Sequence, residues 1–114
     1  MTTKITKKQV ERLARQAVRD RGGDTVVNHC VYRDKGAPVC LVGQVVSYLT
    51  DKPLGRVFDK DLNEMDWSEV SPVVGKRIGV EFTAGANDAL YRLQFQQDRG
   101  ATWKSVVKSV FKDR

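Results

Sequence analysis

The chain is poor in the side chains that bind metals and attack substrates. It has one histidine, His29, and two cysteines, Cys30 and Cys40. A zinc site uses about four Cys or His ligands, so this set cannot furnish one. His29 and Cys30 are also neighbours that would point to opposite faces of a strand. Neither cysteine belongs to a CxxC pair. In a reducing cytoplasm both are expected as small buried residues rather than as a Cys30–Cys40 disulfide. A Cys–His nucleophile would need His29 against Cys40 across space, and nothing in the sequence singles that out. There is no GxxxxGK[ST] or GxGxxG loop to cradle a nucleotide phosphate. Asp59-Lys60-Asp61-Leu62-Asn63 begins like a calcium loop. Glu64 then stands where that loop needs glycine, and Val70 where it needs glutamate. No apolar run approaches the length that spans a bilayer, and the charged start does not read as a signal peptide. These absences point to a cytoplasmic protein without metal, cofactor or membrane span, and away from an enzyme.

What is present suits a folded domain. The chain has 114 residues, 40% apolar and 30% charged. That is long enough to bury a core and too apolar to be disordered, so residues 1–114 are expected to form one globular domain. The net charge is +6, and it concentrates at the two ends. Residues 1–21 carry Lys4, Lys7, Lys8, Arg12, Arg15, Arg19 and Arg21 against Glu11 and Asp20. Residues 99–114 carry Arg99, Lys104, Lys108, Lys112 and Arg114 against Asp113. Lysine and arginine are ordinary outer-face residues, so the first reading is two solvated helix faces. The same distribution also suits an acidic partner such as nucleic acid.

The organising stretch is residues 83–112. Phe82, Ala86, Ala89, Leu90, Leu93 and Gln97 recur at helical spacing, with Thr83 or Asn87 as N-cap. Tyr91 and Phe95 form a second stripe. A helix apolar on two sides is expected to be buried between neighbours. Gly100 supplies the stop. Thr102 then caps a helix running to about Lys112, with Trp103, Val106, Val107, Val110 and Phe111 inward and Lys104, Lys108 and Lys112 outward. The short link predicts a tight αα-hairpin whose seam is the centre of the core. Trp103 reads as a core anchor with its indole N–H bonded to a partner.

Earlier in the chain, Thr6 caps a helix over Lys7–Arg21, apolar at Val10, Leu13, Ala14, Ala17 and Val18 and closed by Gly22-Gly23. Residues 25–32, dense in β-branched and aromatic side chains, read as a strand. Residues 33–36 have turn composition. Across 37–49 valine density favours a strand. Pro38 in a first turn and the spacing of Cys40, Gly43 and Val46 favour a helix, which we adopt. Residues 51–55 break the chain. Residues 56–71 read as mostly irregular, with a short helix near 65–70 begun by Asp66, and 73–75 as a loose apolar patch. Residues 78–83 form either a strand or an extended entry into the organising helix. The whole predicts an α+β fold, mainly helical, with a short β element and a C-terminal αα-hairpin.

Three pieces carry a resemblance. They are Cys30-Val31-Tyr32 followed by residues 36–43, then Ala89-Leu90 leading to Gln94, Gln97-Asp98 and Gly100, and Trp103 beyond that glycine. The arrangement resembles small uncharacterised proteins of actinobacteria and their phages, including mycobacteriophages. The resemblance implies a cytoplasmic accessory protein of a phage or its host, and it carries no activity. Protein–protein interaction with a host or phage protein is the leading expectation, with Gln94, Gln97, Asp98 and Trp103 as the candidate polar site. The alternative is a nucleic-acid binder using Lys8, Arg12, Arg15, Arg19, Lys104, Lys108 and Lys112. A helix-turn-helix finds little support, since Gln96 stands where a small residue precedes the turn glycine. The outward Lys104, Ser105, Lys108 and Ser109 suit phosphates better than base edges. An enzyme built on Gln94, Gln97, Asp98 and Asn87 ranks last.

Overall fold

In the computed structural model, residues 3–27, 31–34 and 37–112 are described. The order is strand β1 (Thr3–Ile5), helix α1 (Lys7–Arg21), strands β2 (Arg33–Asp34) and β3 (Ala37–Pro38), and helices α2 (Leu41–Ser47) and α3 (Leu54–Val57). A 3-10 turn over Leu62–Glu64 follows, then helix α4 (Trp67–Ile78), strand β4 (Val80–Phe82), and helices α5 (Ala84–Asp98) and α6 (Trp103–Val110). This is the mainly helical α+β fold that the pattern predicts. No described helix is long and apolar enough to cross a membrane.

Helix α1 starts where the sequence places it. Thr6 Oγ1 accepts from the Gln9 amide, and Gln9 Oε1 accepts from the Thr6 amide at 2.8 Å. This reciprocal capping box satisfies two donors that the first turn leaves without partners. Gly22 closes the helix at φ 97°, a conformation that favours glycine.

Helix α5 is the middle of the molecule. It packs against α1, α2, α4 and α6. Ala86 and Ala89 let neighbouring backbones approach, and Leu90 and Leu93 fill the space between them, all fully buried. The predicted αα-hairpin forms between α5 and α6. The core extends well beyond its seam, because α1, α2 and α4 surround the same helix.

The two sheets are small. β1 pairs parallel with β4, Ile5 opposite Phe82, and the Thr83 amide extends the pairing to the Ile5 carbonyl at 3.0 Å. Of residues 78–83, read as a strand or an extended entry, Val80–Phe82 form the strand, while Ile78 ends α4 and Thr83 caps α5. β2 pairs antiparallel with β3, Arg33 opposite Pro38.

The expected strand over 25–32 is not formed by its described residues. Residues 25–27 and 31–32 have no sheet partner. Their backbone groups bond elsewhere: the Thr25 carbonyl accepts from the Trp103 amide at 2.9 Å, and the Val27 carbonyl from Gln97 Nε2 at 3.1 Å. Asn63 acts as a substitute neighbour strand. Its Oδ1 accepts from the Tyr32 and Arg33 amides, and its Nδ2 donates to the Arg33 carbonyl. β-Propensity measures fit to a half-buried pleated surface, and here loops and side chains supply that fit.

Two other expectations shift. The helix assigned to 37–49 begins later, since Pro38 sits in β3 and Cys40 is the N-cap, its Sγ accepting from the Gly43 amide. The helix expected near 65–70 runs on to Ile78 through Pro72. Proline in a helix interior removes a hydrogen bond and costs about 3 kcal/mol. Burial of Trp67, Val70, Val74 and Gly75 on one face opposes that cost.

The failed calcium-loop pattern has a structural explanation. Asp59 Oδ1 accepts from the Leu62 amide at 3.0 Å, and Oδ2 from Arg77 Nη2 at 3.0 Å. The Leu62 amide, then the Arg77 guanidinium, hold the Asp59 carboxyl below its ordinary 3.8. A lowered folded value means that the stabilisation is present above the ordinary value and disappears as pH falls through the folded one. Urea midpoints measured from about pH 5 down to about pH 2 should therefore fall less steeply in Asp59→Asn than in the native chain. Parallel curves would show that Asp59 contributes no proton linkage.

Candidate interaction surfaces

Of the described residues that carry the resemblance, Tyr32, Cys40, Leu41, Gln94, Gln97 and Trp103 are buried. Gln94 and Gln97 lie three apart on α5, and both are buried. Gln97 Oε1 accepts from the Leu41 amide at 2.7 Å. Gln94 Oε1 accepts from the Trp67 amide at 2.7 Å. Leu41 and Trp67 are the first residues of α2 and α4. First-turn amides have no partner within their own helix. The caps before them leave the gap: Asp66 makes no side-chain cap bond, and the Cys40 side chain caps the Gly43 amide. The two glutamines therefore cap two helices from a third. The amide nitrogens complete the set, Gln94 Nε2 donating to the Tyr32 hydroxyl and Gln97 Nε2 to the Val27 carbonyl and to Asp98 Oδ1.

This corrects the candidate polar site. Gln94, Gln97 and Trp103 do not face solvent, and Asp98 is half-buried beside Gln97. Asn87, grouped with them on sequence, is half-buried, and its Oδ1 accepts from Trp67 Nε1 at 3.0 Å and from Ser71 Oγ at 2.6 Å. These amides tie segments of the fold together. Trp103 is a core anchor as expected, but its indole N–H finds no acceptor among the described groups. The Arg21 guanidinium stands 5.4 Å from its ring centroid instead. Neither His29 nor Cys30 falls among the described residues. Cys40 is buried. Among the described residues no cluster of acidic, His and Cys side chains could hold a metal ion.

Two surfaces remain. The first is on the outer side of α5. Of the chain's four Phe, three Tyr and two Trp, only Tyr91 and Phe95 are exposed, at 43% and 50%. Their rings are stacked with centroids 6.3 Å apart. The Arg99 guanidinium lies 5.5 Å from the Phe95 centroid, and Arg92 pairs with Asp88 at 3.0 Å beside them. The three together extend the ridge by a third member, Tyr91, Phe95 and Arg99 following each other at four-residue spacing. By spacing alone this stripe belongs in the interior. The missed signal was the company it keeps: Asp88, Arg92 and Arg99 share that side of the helix, and a charged border marks a stripe that reaches water.

The second surface joins the two basic ends. α6 runs antiparallel to α1, because Arg15 Nη2 reaches the Phe111 carbonyl while the Lys104 amide bonds the Gly23 carbonyl. Arg15, Arg19, Lys104 and Lys108 then line one groove floored by Val18 and Val107. Lys8 and Arg12 continue it along α1, with Glu11 paired to Arg15 at 2.9 Å. Lys112 does not join this face. It borders a separate recess with Lys7 and Arg92 between α1, α5 and α6.

No family model matches the chain, and no curated protein or solved structure does so either.

Proposed function

We propose that the protein works by protein–protein interaction through the Tyr91–Phe95–Arg99 ridge, as an accessory protein of a phage or its actinobacterial host. The observation that carries this reading is the stacked aromatic pair standing in water while the other aromatic side chains are wholly or partly buried. Interface cores are enriched in aromatic residues and arginine, and a few such anchors supply most of the binding energy. The ridge offers two rings on α5 and a guanidinium at its C-cap, already in contact with one another, so little side-chain entropy is lost on docking. The fitting partner is a protein with an apolar pocket and an acidic rim to meet Arg99. The resemblance to phage and actinobacterial accessory proteins supports the setting.

The double variant Tyr91→Ser/Phe95→Ser tests it. Both side chains are exposed, so thermal stability should change by no more than about 1 kcal/mol. Affinity capture from a mycobacterial lysate, with nuclease added, should give a discrete protein with the native chain and lose it with the variant. The purified partner should bind the variant at least about tenfold more weakly. Equal capture by both chains would remove the ridge from the interface. A ridge-dependent dimer in sedimentation would replace the foreign partner by a second copy.

A further inference from the structure

We infer that α1 and α6 together form a face that binds the phosphate backbone of double-stranded nucleic acid, independently of the α5 ridge. Neither helix alone makes the case. Each carries an exposed basic row, and such rows are ordinary. The fold, however, brings the rows from opposite ends of the chain onto one surface. Lys8, Arg12, Arg15 and Arg19 come from α1, and Lys104 and Lys108 from α6. Only Glu11 among the lining residues is acidic, and it faces Arg15.

The spacing suits a phosphate track. Lys8 and Arg19 are separated by about 16 Å of helix at 1.5 Å per residue, close to the axial length of about five nucleotides of one strand at 3.4 Å each. Lysine, arginine and serine side chains bond phosphate oxygens, and Ser109 stands exposed beside Lys108. α6 exposes no asparagine, glutamine or arginine to read a base edge, so its share of the contact suits phosphates.

Other anionic partners fit less well. Single strands are held by bases stacking on aromatic side chains, and the exposed aromatics are on α5 rather than on this face. A membrane-surface helix inserts large apolar residues beside its cations. Val26, Met65, Tyr91 and Phe95 are the exposed large apolar residues, and none belongs to α1 or α6.

The test uses the whole chain and a labelled random-sequence DNA duplex of about 20 base pairs, roughly the footprint of a small domain with room to spare, read by fluorescence anisotropy across a salt series. Binding should appear at low salt. The plot of log affinity against log salt should slope by about −4 to −5, as four to six neutralised phosphates require. Arg12→Glu/Arg19→Glu/Lys108→Glu should weaken binding at least about tenfold and flatten the slope by about one per cation removed. These three side chains are exposed and make no described hydrogen bond, so melting should stay close to native. The charge-matched control Arg56→Glu/Lys60→Glu/Lys76→Glu changes net charge equally on α3, α4 and the link between them. It should bind close to the native affinity. Equal weakening by the control would reduce the effect to bulk charge and overturn the face. Absence of binding at low salt would overturn it outright. Stronger binding to anionic vesicles or to poly-glutamate than to the duplex would also overturn it. Tyr91→Ser/Phe95→Ser should leave duplex binding unchanged, which separates this outcome from that of the ridge.

Discussion

Gly43→Ala is expected to destabilise the protein by about 3 kcal/mol or more, an overpacking penalty at the upper end of the usual range. The added Cβ would stand 2.1 Å from the Tyr32 carbonyl oxygen, 2.9 Å from its carbonyl carbon and 3.1 Å from its Cα. All three are backbone atoms, so no side chain can rotate away. Tyr32 cannot retreat either. Its ring stacks on Phe58 with centroids 4.3 Å apart and meets Trp67 edge-on. Its hydroxyl donates to the Met65 carbonyl at 2.7 Å and accepts from Gln94, and its carbonyl accepts from the Val39 amide at 3.0 Å. Alanine is the better helix former by about 1 kcal/mol, and that gain is smaller than the clash. Gly55→Ala provides the contrast, because nothing lies within 4 Å of a Cβ there. It should be neutral or raise stability by up to about 1 kcal/mol. Thermal melting should separate the two by more than about 10 °C. A Gly43→Ala midpoint within about 1 kcal/mol of native would contradict this account of the contact.

Gln97→Leu is the second large effect, about 2–5 kcal/mol of lost stability. Leucine keeps nearly the same volume, so the core stays filled. What disappears is the acceptor for the Leu41 amide and the donor to the Val27 carbonyl. A buried group left without a partner costs about 1–3 kcal/mol. Leu41 has no alternative, because its amide opens α2 and has no carbonyl of its own helix to meet. Hydrogen exchange gives the specific readout: the Leu41 amide should lose protection more than amides in α1. Gln96→Leu, next to it on α5 but half-buried and outside this network, should shift stability by no more than about 0.5 kcal/mol. Equal effects from both variants would mean that residue 97 matters only as filler.

Together the two variants bear on why the resembling segments occur together. Gly43 allows α2 to lie against the Tyr32 backbone, and Gln97 caps α2 from α5. Tyr32, Leu41 and Gly43 on one side and Gln97 on the other thus belong to one packing arrangement. The surfaces that we propose for binding lie outside it, on the Tyr91 ridge and on the α1–α6 face.

Much of this protein is determined locally. The capping box at Thr6, the caps at Thr83 and Thr102 and the left-handed stop at Gly100 depend on side chains within three residues of the backbone they serve. For that reason α1, α5 and α6 stand almost where their periodicity puts them, and the helical α+β class follows from them. Tertiary structure decided the rest. Residues 25–32 have the composition of a strand, but the described ones join no sheet, and their groups bond to Asn63, Gln97, Trp103 and Val39. α4 continues past Pro72 because burial of its Trp67 face outweighs a local penalty that sequence reading sees alone. Gln94 and Gln97 look like polar residues in search of a ligand until α2 and α4 bring their first amides against α5. Tyr91 and Phe95 look like core until one sees that no described element covers them. Which side of a helix is dry depends on what packs there, and a helix carries no record of its neighbours. The basic ends became one surface for the same reason, since only the antiparallel docking of α6 on α1 brings residues 8–19 beside residues 104–108.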